Sequence, residues 1–416
     1  MPKAYSSSCR NRRHFPSAVV LLLIVALQAL ADNWPEFRGP AGDGHSKETN
    51  LPLAWSESQN VRWKVELPGR GWSTPVVVDN QIWLTTATES SKSLRLISFD
   101  AASGKLSKDV EVFRLSSPVA GHEKNSGASP SAVVEGDRVY VHFGSYGTAC
   151  VRKDGTVLWR NQELKYSQVH GPGGSPVLFG NYLILNCDGN DSQFVAALDK
   201  NTGKVAWRKP RDGAMAYSTP LVIEAPGGPQ VVSTGGRRAL SYNPATGAEL
   251  WSVSYGDGFS NVPRPVFGHG LVYLCTGFYQ PQLLAVRVDG KGDVTNSHVA
   301  WRYSRGVPLT PSPILVGELI YIISDNGIVT CLDAKTGKEV WRQRLGDSFS
   351  ASPIYAEGRI YFLSESGETI VIAAGKEFRK LAANKLDGRF LASIAASAGS
   401  MYLRSDTHLY RIGSSR

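Results

Sequence analysis

"SPILVGELIYIISDNGIVTCLDAKTGKEVW", residues 312–341, is the stretch of the chain that decides the fold. Short runs of β-branched and aromatic residues alternate in it with Gly, Asn and Asp, which is the pattern of strands joined by tight turns. The four strands that the pattern predicts are 314–316, 319–323, 328–332 and a last strand that ends at Trp341. Asp325-Asn326-Gly327 predicts a type I′ hairpin turn, in which both central residues take positive φ.

The same phrase recurs along the whole chain. A second clear copy is "SPVLFGNYLILNCDGNDSQFVAALDKNTGKVAW", residues 175–207. The prolines that open successive copies are Pro75, Pro130, Pro176, Pro220, Pro265, Pro313 and Pro353, and Ile394 replaces an eighth. These positions are 40 to 55 residues apart, and no helical pattern lies between them. A four-stranded repeat of this length is typical of the blades of a β-propeller.

Each copy closes on a turn of the form Asp-x-x-Thr-Gly-Lys, followed by Trp. The turn residues are Asp100, Asp154, Asp199, Asn243, Asp289 and Asp333. The aromatic residues are Trp159, Trp207, Trp251, Trp301 and Trp341, with Phe113 and Phe378 as predicted substitutes. We expect each Asp or Asn to accept an N–H two residues later. We expect the Trp rings to wedge between neighbouring blades; an aromatic ligand cage is the alternative.

The two ends of the chain are predicted to share one blade. Residues 391–412 supply three strands and no fourth, whereas Trp63 lies in a strand before the first proline. The strand at 61–67 therefore completes the last blade and covers its open edge. We predict an all-β, eight-bladed β-propeller of four-stranded antiparallel blades. The predicted segments are a signal peptide at 1–31, an extension at 32–60, the propeller at 61–412 and a tail at 413–416.

The first 31 residues have the features of a secretion signal. Four basic residues precede an apolar run at 18–27, and Ala29-Leu30-Ala31 is a small-x-small cleavage site. We expect export to the periplasm or the extracellular space. A retained membrane anchor is the alternative, although the apolar run is short for a span. No later stretch approaches transmembrane length.

Charge and cysteine content exclude several classes of function. Without residues 1–31 the chain has 41 basic and 36 acidic residues, a formal charge of +5, and no basic stripe with interleaved aromatics. Nucleic-acid binding is therefore not predicted. Four cysteines lie in apolar strands without a Cys-x-x-Cys pair: Cys150, Cys187, Cys275 and Cys331. We predict buried free thiols rather than a zinc site; disulfides are the alternative.

"ALDKNTGKVAW" and "CLDAKTGKEVW" resemble the repeat signature of the PQQ-binding-like β-propellers (PQQ is pyrroloquinoline quinone). The resemblance covers nearly all of residues 55–412. The family includes quinoprotein dehydrogenases and the outer-membrane protein assembly factor B. The opening "NWPEFRGPAGDG", residues 33–44, also resembles the start of secreted propellers from environmental bacteria. Because one fold hosts different functions, the resemblance implies the architecture more firmly than an activity.

The connections between blades are the predicted functional loops. In a blade whose strands A to D run outward, the D-to-A connections and the B–C hairpins share one face, and long loops on a rigid scaffold carry function. The candidate ligand-binding residues there are Arg70, Trp72, His122, Glu123, Lys124, Asn125, His170, Tyr217, Asn261, Arg264 and Arg389. They suit an anionic or polyhydroxylated ligand, with cations for charge and aromatics for stacking. The alternative is that they are solvated loop residues.

Metal binding has weaker support. His122 and His170 alone do not make a metal site. "CDGND", residues 187–191, has oxygen ligands that suit calcium, but a hairpin between strands B and C explains it as well, and we predict the hairpin.

We predict a non-enzymatic binding or scaffold protein of the cell envelope, monomeric, without metal or resident cofactor. Its expected partner is an envelope protein or a small polar or anionic ligand. The first alternative is a PQQ-dependent oxidoreductase, with PQQ and calcium as cofactors. The resemblance implies an adjacent Cys pair and a longer chain for such enzymes, and this chain has neither. The second alternative is a polysaccharide-active enzyme, although no carboxylate pair stands out.

Overall fold

Each repeat folds into a four-stranded antiparallel blade. The computed structural model describes residues 1–4 and 33–414. In this part of the chain, 33 strands form eight sheets and no helix is long and apolar enough to cross a membrane. The predicted signal peptide lies outside the described residues except for its first four. An all-β, eight-bladed propeller is therefore confirmed.

The blades follow the chain order, and their strands A to D run in sequence. Strand β1, Val61–Glu66, precedes them all. Blade 1 has β2–β5 (Val76–Val78, Gln81–Thr88, Ser93–Asp100, Leu106–Arg114), and blade 2 has β6–β9 (Val133–Glu135, Arg138–His142, Thr148–Arg152, Val157–Asn161). Blade 3 has β10–β13 (Val177–Phe179, Tyr182–Asp188, Gln193–Asp199, Val205–Pro210), and blade 4 has β14–β17 (Leu221–Ala225, Gly228–Thr234, Arg238–Tyr242, Glu249–Ser254).

The second half of the ring repeats this arrangement. Blade 5 has β18–β20 and β22 (Val266–Gly268, Leu271–Cys275, Leu283–Arg287, Val299–Tyr303), while the short β21, Gly292–Asp293, pairs with blade 4 in parallel. Blade 6 has β23–β26 (Ile314–Val316, Leu319–Ile323, Ile328–Asp333, Glu339–Arg344), and blade 7 has β27–β30 (Ile354–Ala356, Arg359–Leu363, Glu368–Ala373, Lys380–Lys385). Blade 8 has β31–β33 (Ala395–Ser397, Ser400–Arg404, His408–Gly413) and takes β1 as its fourth strand.

The two chain ends close the ring as predicted. Strand β1 pairs antiparallel with β33, with Lys64 opposite Tyr410. The indole N–H of Trp63 donates to the carbonyl of Ala101, which lies on the β4–β5 turn of blade 1, at 3.1 Å. One strand therefore completes blade 8 and also fastens it to blade 1, which leaves no open edge between the first and last blades.

The repeated Trp and Gly meet across the blade boundaries. Trp159 of blade 2 donates its indole N–H to the carbonyl of Lys200 in blade 3 at 3.0 Å. Equivalent bonds join Trp207 to Pro244, Trp301 to Ala334 and Trp341 to Gly375. Gly203 has a φ of +74°, and a Cβ there would lie 2.5 Å from the Trp159 ring. The wedge prediction is confirmed at these four boundaries, whereas Trp251 donates its indole N–H to Gln230 of its own blade at 2.9 Å. Where a Trp ring faces the turn of the following blade, as at Gly203, Gly247 and Gly337, a side chain on the Gly would meet that ring.

Two predicted aromatic substitutes are wrong. In blades with Trp, the ring residue lies next to a bulge between strands C and D, as at Cys150 and Trp159. The same bulge in blade 1 places Lys108 there, and Phe113 instead packs edge-on against Phe143. In blade 7 the equivalent residue is Ala382, because the bulge follows Val371. Blades 1 and 7 have no Trp in strand D, so the prediction placed their aromatic residue by its distance along the chain from the turn. That distance does not hold in these two blades.

Two local turn predictions also need correction. Asn326 is not among the residues with positive φ, whereas Gly327 has a φ of +78°, so the hairpin is not type I′. In blade 2 the residue equivalent to the repeat proline is Ala132, not Pro130, because Ser131 takes the position that Ser175 takes in blade 3. Both errors are local and leave the strand order unchanged.

The structure decides between the alternatives for the cysteines and for the possible calcium site at residues 187–191. All four described cysteines are buried and unpaired, as predicted. Burial raises the pKa of the Cys150 thiol to about 11, so this thiol stays protonated at neutral pH. Asp188 lies in the β11–β12 hairpin, and its carboxylate receives both ends of the buried Arg211 guanidinium. The hairpin prediction is confirmed, and the guanidinium occupies the carboxylate that calcium would need.

Candidate functional site

A cavity of about 570 Å³ lies where the eight D-to-A connections meet. All eight connections contribute to its wall, so it lies at the centre of the ring on what we call the cavity face. The D-to-A residues that line it are Trp72, Thr74, His122, Lys124, Asn125, Ser129, Ser131, His170, Gly173, Ser175, Tyr217, Thr219, Phe259, Ser260, Val262, Thr310, Ser350, Ser352, Leu391 and Ser393. Phe278, from the β19–β20 hairpin, and Phe37 complete the lining.

A ring of hydroxyl groups fastens neighbouring connections around this cavity. The backbone N–H of Thr74 donates to the Ser131 hydroxyl at 2.9 Å, and the N–H of Ser131 donates to the Ser175 hydroxyl at 2.9 Å. The same bond recurs from Ser175 to Thr219, Arg264 to Ser312, Ser312 to Ser352 and Ser352 to Ser393. The hydroxyl at the start of a blade therefore accepts a backbone N–H from the preceding blade. Sequence reasoning noted this Ser or Thr without a role.

Arg264 is the one charged residue in the hydroxyl ring. Its guanidinium donates to the Glu36 carboxylate at 2.9 Å, to the carbonyl of Phe37 at 2.6 Å and to the carbonyl of Pro220 at 3.1 Å. The side chain is buried and does not line the cavity. Blade 5 thus has Arg264 where the other blades have a hydroxyl, and its guanidinium binds the chain segment beneath the cavity.

That segment, residues 33–46, crosses the ring and is called the channel segment. Trp34 exchanges backbone hydrogen bonds with Val77 of blade 1, and the N–H of Val134 in blade 2 donates to Pro35. Tyr355 of blade 7 donates its N–H to Gly44 and accepts from the N–H of Ser46. Because Phe37 of this segment lines the cavity, the segment forms its floor. The propeller channel is therefore a blind cup, which the sequence did not predict.

The charged and imidazole groups of the cavity gather on one side. The His122 and His170 rings meet edge-on with centroids 5.7 Å apart, and the His170 ring lies 5.8 Å from Tyr217. Burial and the neighbouring His122 lower the pKa of His170, so this imidazole is neutral at pH 7. The Lys124 ammonium pairs with Glu365, from the β28–β29 hairpin of blade 7, at 2.7 Å. This ion pair joins the blade 1–2 connection to blade 7.

The structure brings six of the predicted ligand-binding residues together in the cavity wall. They are Trp72, His122, Lys124, Asn125, His170 and Tyr217. Arg70 lies with its guanidinium 5.9 Å from the Trp72 ring centre and donates to the carbonyl of Glu123.

The remaining predicted residues lie outside the lining. Asn261 is buried and donates to the carbonyl of Gly235 at 2.9 Å, and Arg264 faces the channel segment. Arg389 exchanges backbone contacts with Asp406. The sequence carried no signal for Phe37, Phe259 and Phe278, which share no motif. The ring hydroxyls had a signal, because most of them precede a repeat proline.

The lining does not fit PQQ held by calcium. Calcium needs several oxygen ligands, carboxylates above all, and the quinone chemistry needs a carboxylate base. No Asp or Glu lines the cavity, and no described group of three His, Cys, Asp or Glu side chains could hold a metal. The nearest carboxylates are engaged, since Glu365 binds Lys124 and Asp325 accepts from Thr310. Glycoside hydrolysis also needs two carboxylates and finds none in this lining.

His142 supports the connection that carries His170. Its ring nitrogens contact the Thr148 hydroxyl at 2.8 Å and the Tyr166 hydroxyl at 3.3 Å, and complete burial lowers the pKa of His142 to about 3. A buried neutral imidazole resists protonation, so its contribution to stability is complete above pH 6.5 and is lost as the pH falls toward 3.

We expect the stability advantage of the native protein over the His142→Gln variant to shrink on acidification. Between pH 6.5 and 5 the difference in unfolding free energy should fall by roughly 2 kcal/mol, since each pH unit is worth about 1.4 kcal/mol. Denaturant unfolding at both pH values measures this difference. Parallel losses in the two proteins would show that His142 does not set the acid sensitivity.

Comparison with known proteins agrees with this architecture. The family described as outer membrane protein assembly factor BamB matches residues 47–168, 114–341 and 290–404. The quinohemoprotein alcohol dehydrogenase ADH IIB of Pseudomonas putida is 27% identical over 287 residues, which are 63% of this chain and 38% of that protein. The assembly factor BamB of Shewanella oneidensis is 27% identical over 164 residues, 36% of this chain and 38% of that protein. The chain thus spans well under half of the length of either relative.

The solved structures show the same fold at lower identity. The crystal structure of BamB from Moraxella catarrhalis superposes with a TM-score of 0.62 at 14% identity, covering 85% of this chain and 99% of that chain. The quinohemoprotein alcohol dehydrogenase from Comamonas testosteroni has a TM-score of 0.67 at 11% identity, covering 92% of this chain and 81% of that chain. At such identities the likeness concerns the fold alone.

Proposed function

The chain belongs to the β-propeller family described as outer membrane protein assembly factor BamB, and on that premise we propose a non-enzymatic binding or scaffold protein of the cell envelope. In this proposal residues 1–31 direct export to the periplasm or the extracellular space. The mature protein acts as a monomer, and its cavity face holds either an envelope protein or a small polar or anionic ligand.

One observation supports the proposal above all. The central cavity is a blind cup of hydroxyls, aromatic rings, imidazoles and one lysine, without a lining carboxylate. Such a wall can bind, through hydrogen-bond donors and apolar contact, but it offers no carboxylate, either as a base or as a calcium ligand. The lining groups that could transfer a proton are His122, Lys124, His170 and Tyr217, and Lys124 is held in an ion pair with Glu365.

The second candidate function is a PQQ-dependent oxidoreductase, which the similarity to the quinohemoprotein alcohol dehydrogenase of Pseudomonas putida favours. Against it stand the missing lining carboxylates and the four separate, buried thiols. This chain matches only 38% of the length of that relative, so the activity of the relative belongs to a much longer protein.

Titration of the mature protein with PQQ in the presence of calcium tests the choice between these functions. We expect no stoichiometric binding that depends on calcium, because the cavity lacks carboxylate ligands. Absorbance and calorimetry, each with and without a chelator, measure the metal dependence. Tight one-to-one binding that chelation abolishes would replace the binding-protein proposal with the oxidoreductase.

A matched capture experiment tests the scaffold role. Tyr279 and Phe278 are exposed on the cavity face, whereas Leu106 is an exposed apolar residue on β5 of blade 1. We expect an envelope protein captured by the native chain to be lost with Tyr279→Ser and retained with Leu106→Ser. Equal capture by both variants would place the interaction elsewhere.

A further inference from the structure

Hydroxyl protons on one side of the ring have no described acceptor. Ser131, Ser175, Thr219 and Ser393 each accept a backbone N–H from the neighbouring blade. Their oxygens are thereby fixed, and each keeps one O–H that no described protein atom accepts. The Thr74 hydroxyl has no described partner. Since a hydroxyl supplies one donor besides its lone pairs, these five groups form a donor arc on blades 8, 1, 2, 3 and 4, which are consecutive around the closed ring.

Two more polar groups of the lining are buried and unpaired. The indole N–H of Trp72 and the hydroxyl of Ser260 have no hydrogen-bond partner among the described residues, although both side chains are more than nine-tenths buried. An indole N–H can only donate, so its partner has to be an acceptor. Both atoms are themselves buried beneath the surface of the lining, so they cost the native state free energy and are not presented to a ligand; the accessible donors are those of the arc.

A buried cation lies just behind the same wall. Arg404 donates to the Ser73 hydroxyl at 2.7 Å and to the carbonyl of Thr85 at 2.9 Å, and none of its described partners is a carboxylate. Ser73 stands between Trp72 and Thr74, both of which line the cavity. An uncompensated guanidinium in a poorly solvated region, beside a lining without Asp or Glu, makes the cavity attractive to anions.

The neighbouring part of the wall is apolar. Phe259 and Val262 come from the blade 4–5 connection, Phe278 from blade 5 and Phe37 from the channel segment. The Phe259 and Phe278 rings lie 5.7 Å apart and form an aromatic wall beside the donor arc. A ligand that fills this cavity therefore needs an oxygen-rich end and an apolar body.

We propose that the cavity binds a small organic oxyanion, a carboxylate carried on an aromatic or similarly apolar body. The carboxylate accepts from the donor arc, while the body contacts the aromatic wall. A neutral sugar fits less well, because it lacks both the negative charge and the apolar body. This inference rests on the proposed binding function and specifies its ligand.

Calorimetric titration of the full mature chain with matched probes tests the ligand class. The probes are 2-naphthoate, the neutral 2-naphthamide, inorganic phosphate and glucose. We expect saturable one-to-one binding of 2-naphthoate and at least about 10-fold weaker binding of the amide, since hydrogen bonds to a charged acceptor are the stronger ones. Phosphate and glucose should not bind, because one lacks the apolar body and the other lacks the anion.

Two variants tie the binding to the named groups. Thr74→Val keeps the side-chain shape and removes one hydroxyl of the donor arc, so the affinity for 2-naphthoate should fall by about 10-fold. Glu365→Gln frees the Lys124 ammonium and should tighten binding several-fold. The matched control is Glu135→Gln, because Glu135 pairs with Lys200 at 2.6 Å, away from the cavity lining, and its loss should leave the affinity unchanged.

Equal affinity for the amide and the carboxylate would overturn the proposal, and so would unchanged binding by both cavity variants. Failure here is distinguishable from failure of the proposed function. If no probe binds while envelope-protein capture still depends on Tyr279, the binding role stands and the small-anion ligand is wrong. Calcium-dependent binding of PQQ would instead remove the binding role itself.

Discussion

Replacing Arg264 by serine is expected to lower the free energy of unfolding by about 3–5 kcal/mol, as removal of one partner of a buried ion pair does. Arg264 and Glu36 are paired at 2.9 Å, and the Glu36 carboxylate is then left without its cation. Serine supplies the hydroxyl that the other blades have at this position. The variant therefore removes the bonds from Arg264 to the channel segment without removing a member of the hydroxyl ring.

The pH dependence of this loss identifies its cause. Burial already raises the pKa of Glu36, against the opposing pull of Arg264. Without the cation the pKa of Glu36 rises further, so folding carries a penalty above the ordinary carboxyl range that is relieved as the pH falls. The loss in the variant should therefore be smaller at pH 5 than at pH 8 in urea unfolding.

Two further variants complete the Arg264 test. Adding Glu36→Gln to Arg264→Ser removes the unpaired charge and should recover part of the lost stability. Arg389→Ser, also on the cavity face but outside any described ion pair, should change stability by less than about 0.5 kcal/mol. A loss of under 1 kcal/mol in Arg264→Ser would show that the channel segment is not held by this pair.

Replacing Trp159 by alanine should cost about 3–5 kcal/mol, because a large buried ring leaves a cavity between blades 2 and 3. Trp159→Phe keeps one aromatic ring at the boundary and loses the N–H bond to Lys200 together with part of the indole contact, for a smaller cost of about 1–2 kcal/mol. Thermal and urea unfolding of the three proteins measure the differences. Similar losses in both variants would assign the effect to the hydrogen bond rather than to packing.

Glycine substitutions test the same boundary from the other blade. Gly203 and Gly180 both have positive φ, but a Cβ at Gly203 would meet the Trp159 ring, whereas a Cβ at Gly180 would meet open space. Both alanine variants carry the backbone strain, so the extra loss at Gly203 measures the ring contact. Equal losses would mean that the repeat keeps this Gly for its backbone alone.

The binding role and the stability of the ring depend on the same elements. Arg264 holds the channel segment, and that segment supplies Phe37 to the cavity floor. The hydroxyl ring fastens neighbouring connections and also presents donors to the cavity. Variants of the cavity therefore need a stability measurement beside each affinity measurement.

Local pattern was sufficient to predict the blades, their number, the closure by β1 and the Trp wedge. Strand and turn residues act on their immediate neighbours, and a motif copied eight times averages out local errors such as those at Phe113, Pro130 and Asn326. The predicted strands of the blade at 312–341 agree with β23 and β24 to the residue. Six residues of the candidate site were also reached, because the connections had to meet at one face.

Only the folded ring shows the closed central cavity, the channel segment that forms its floor and the hydroxyl donors that line it. The hydroxyl bonds join residues 40 to 57 positions apart, and the Arg264–Glu36 pair joins residues 228 positions apart. Spacing along the chain carries no information on such contacts, since they arise only when the blades close around the channel. Which hydroxyls converge, and that Arg264 faces a buried carboxylate rather than the cavity, are consequences of that closure.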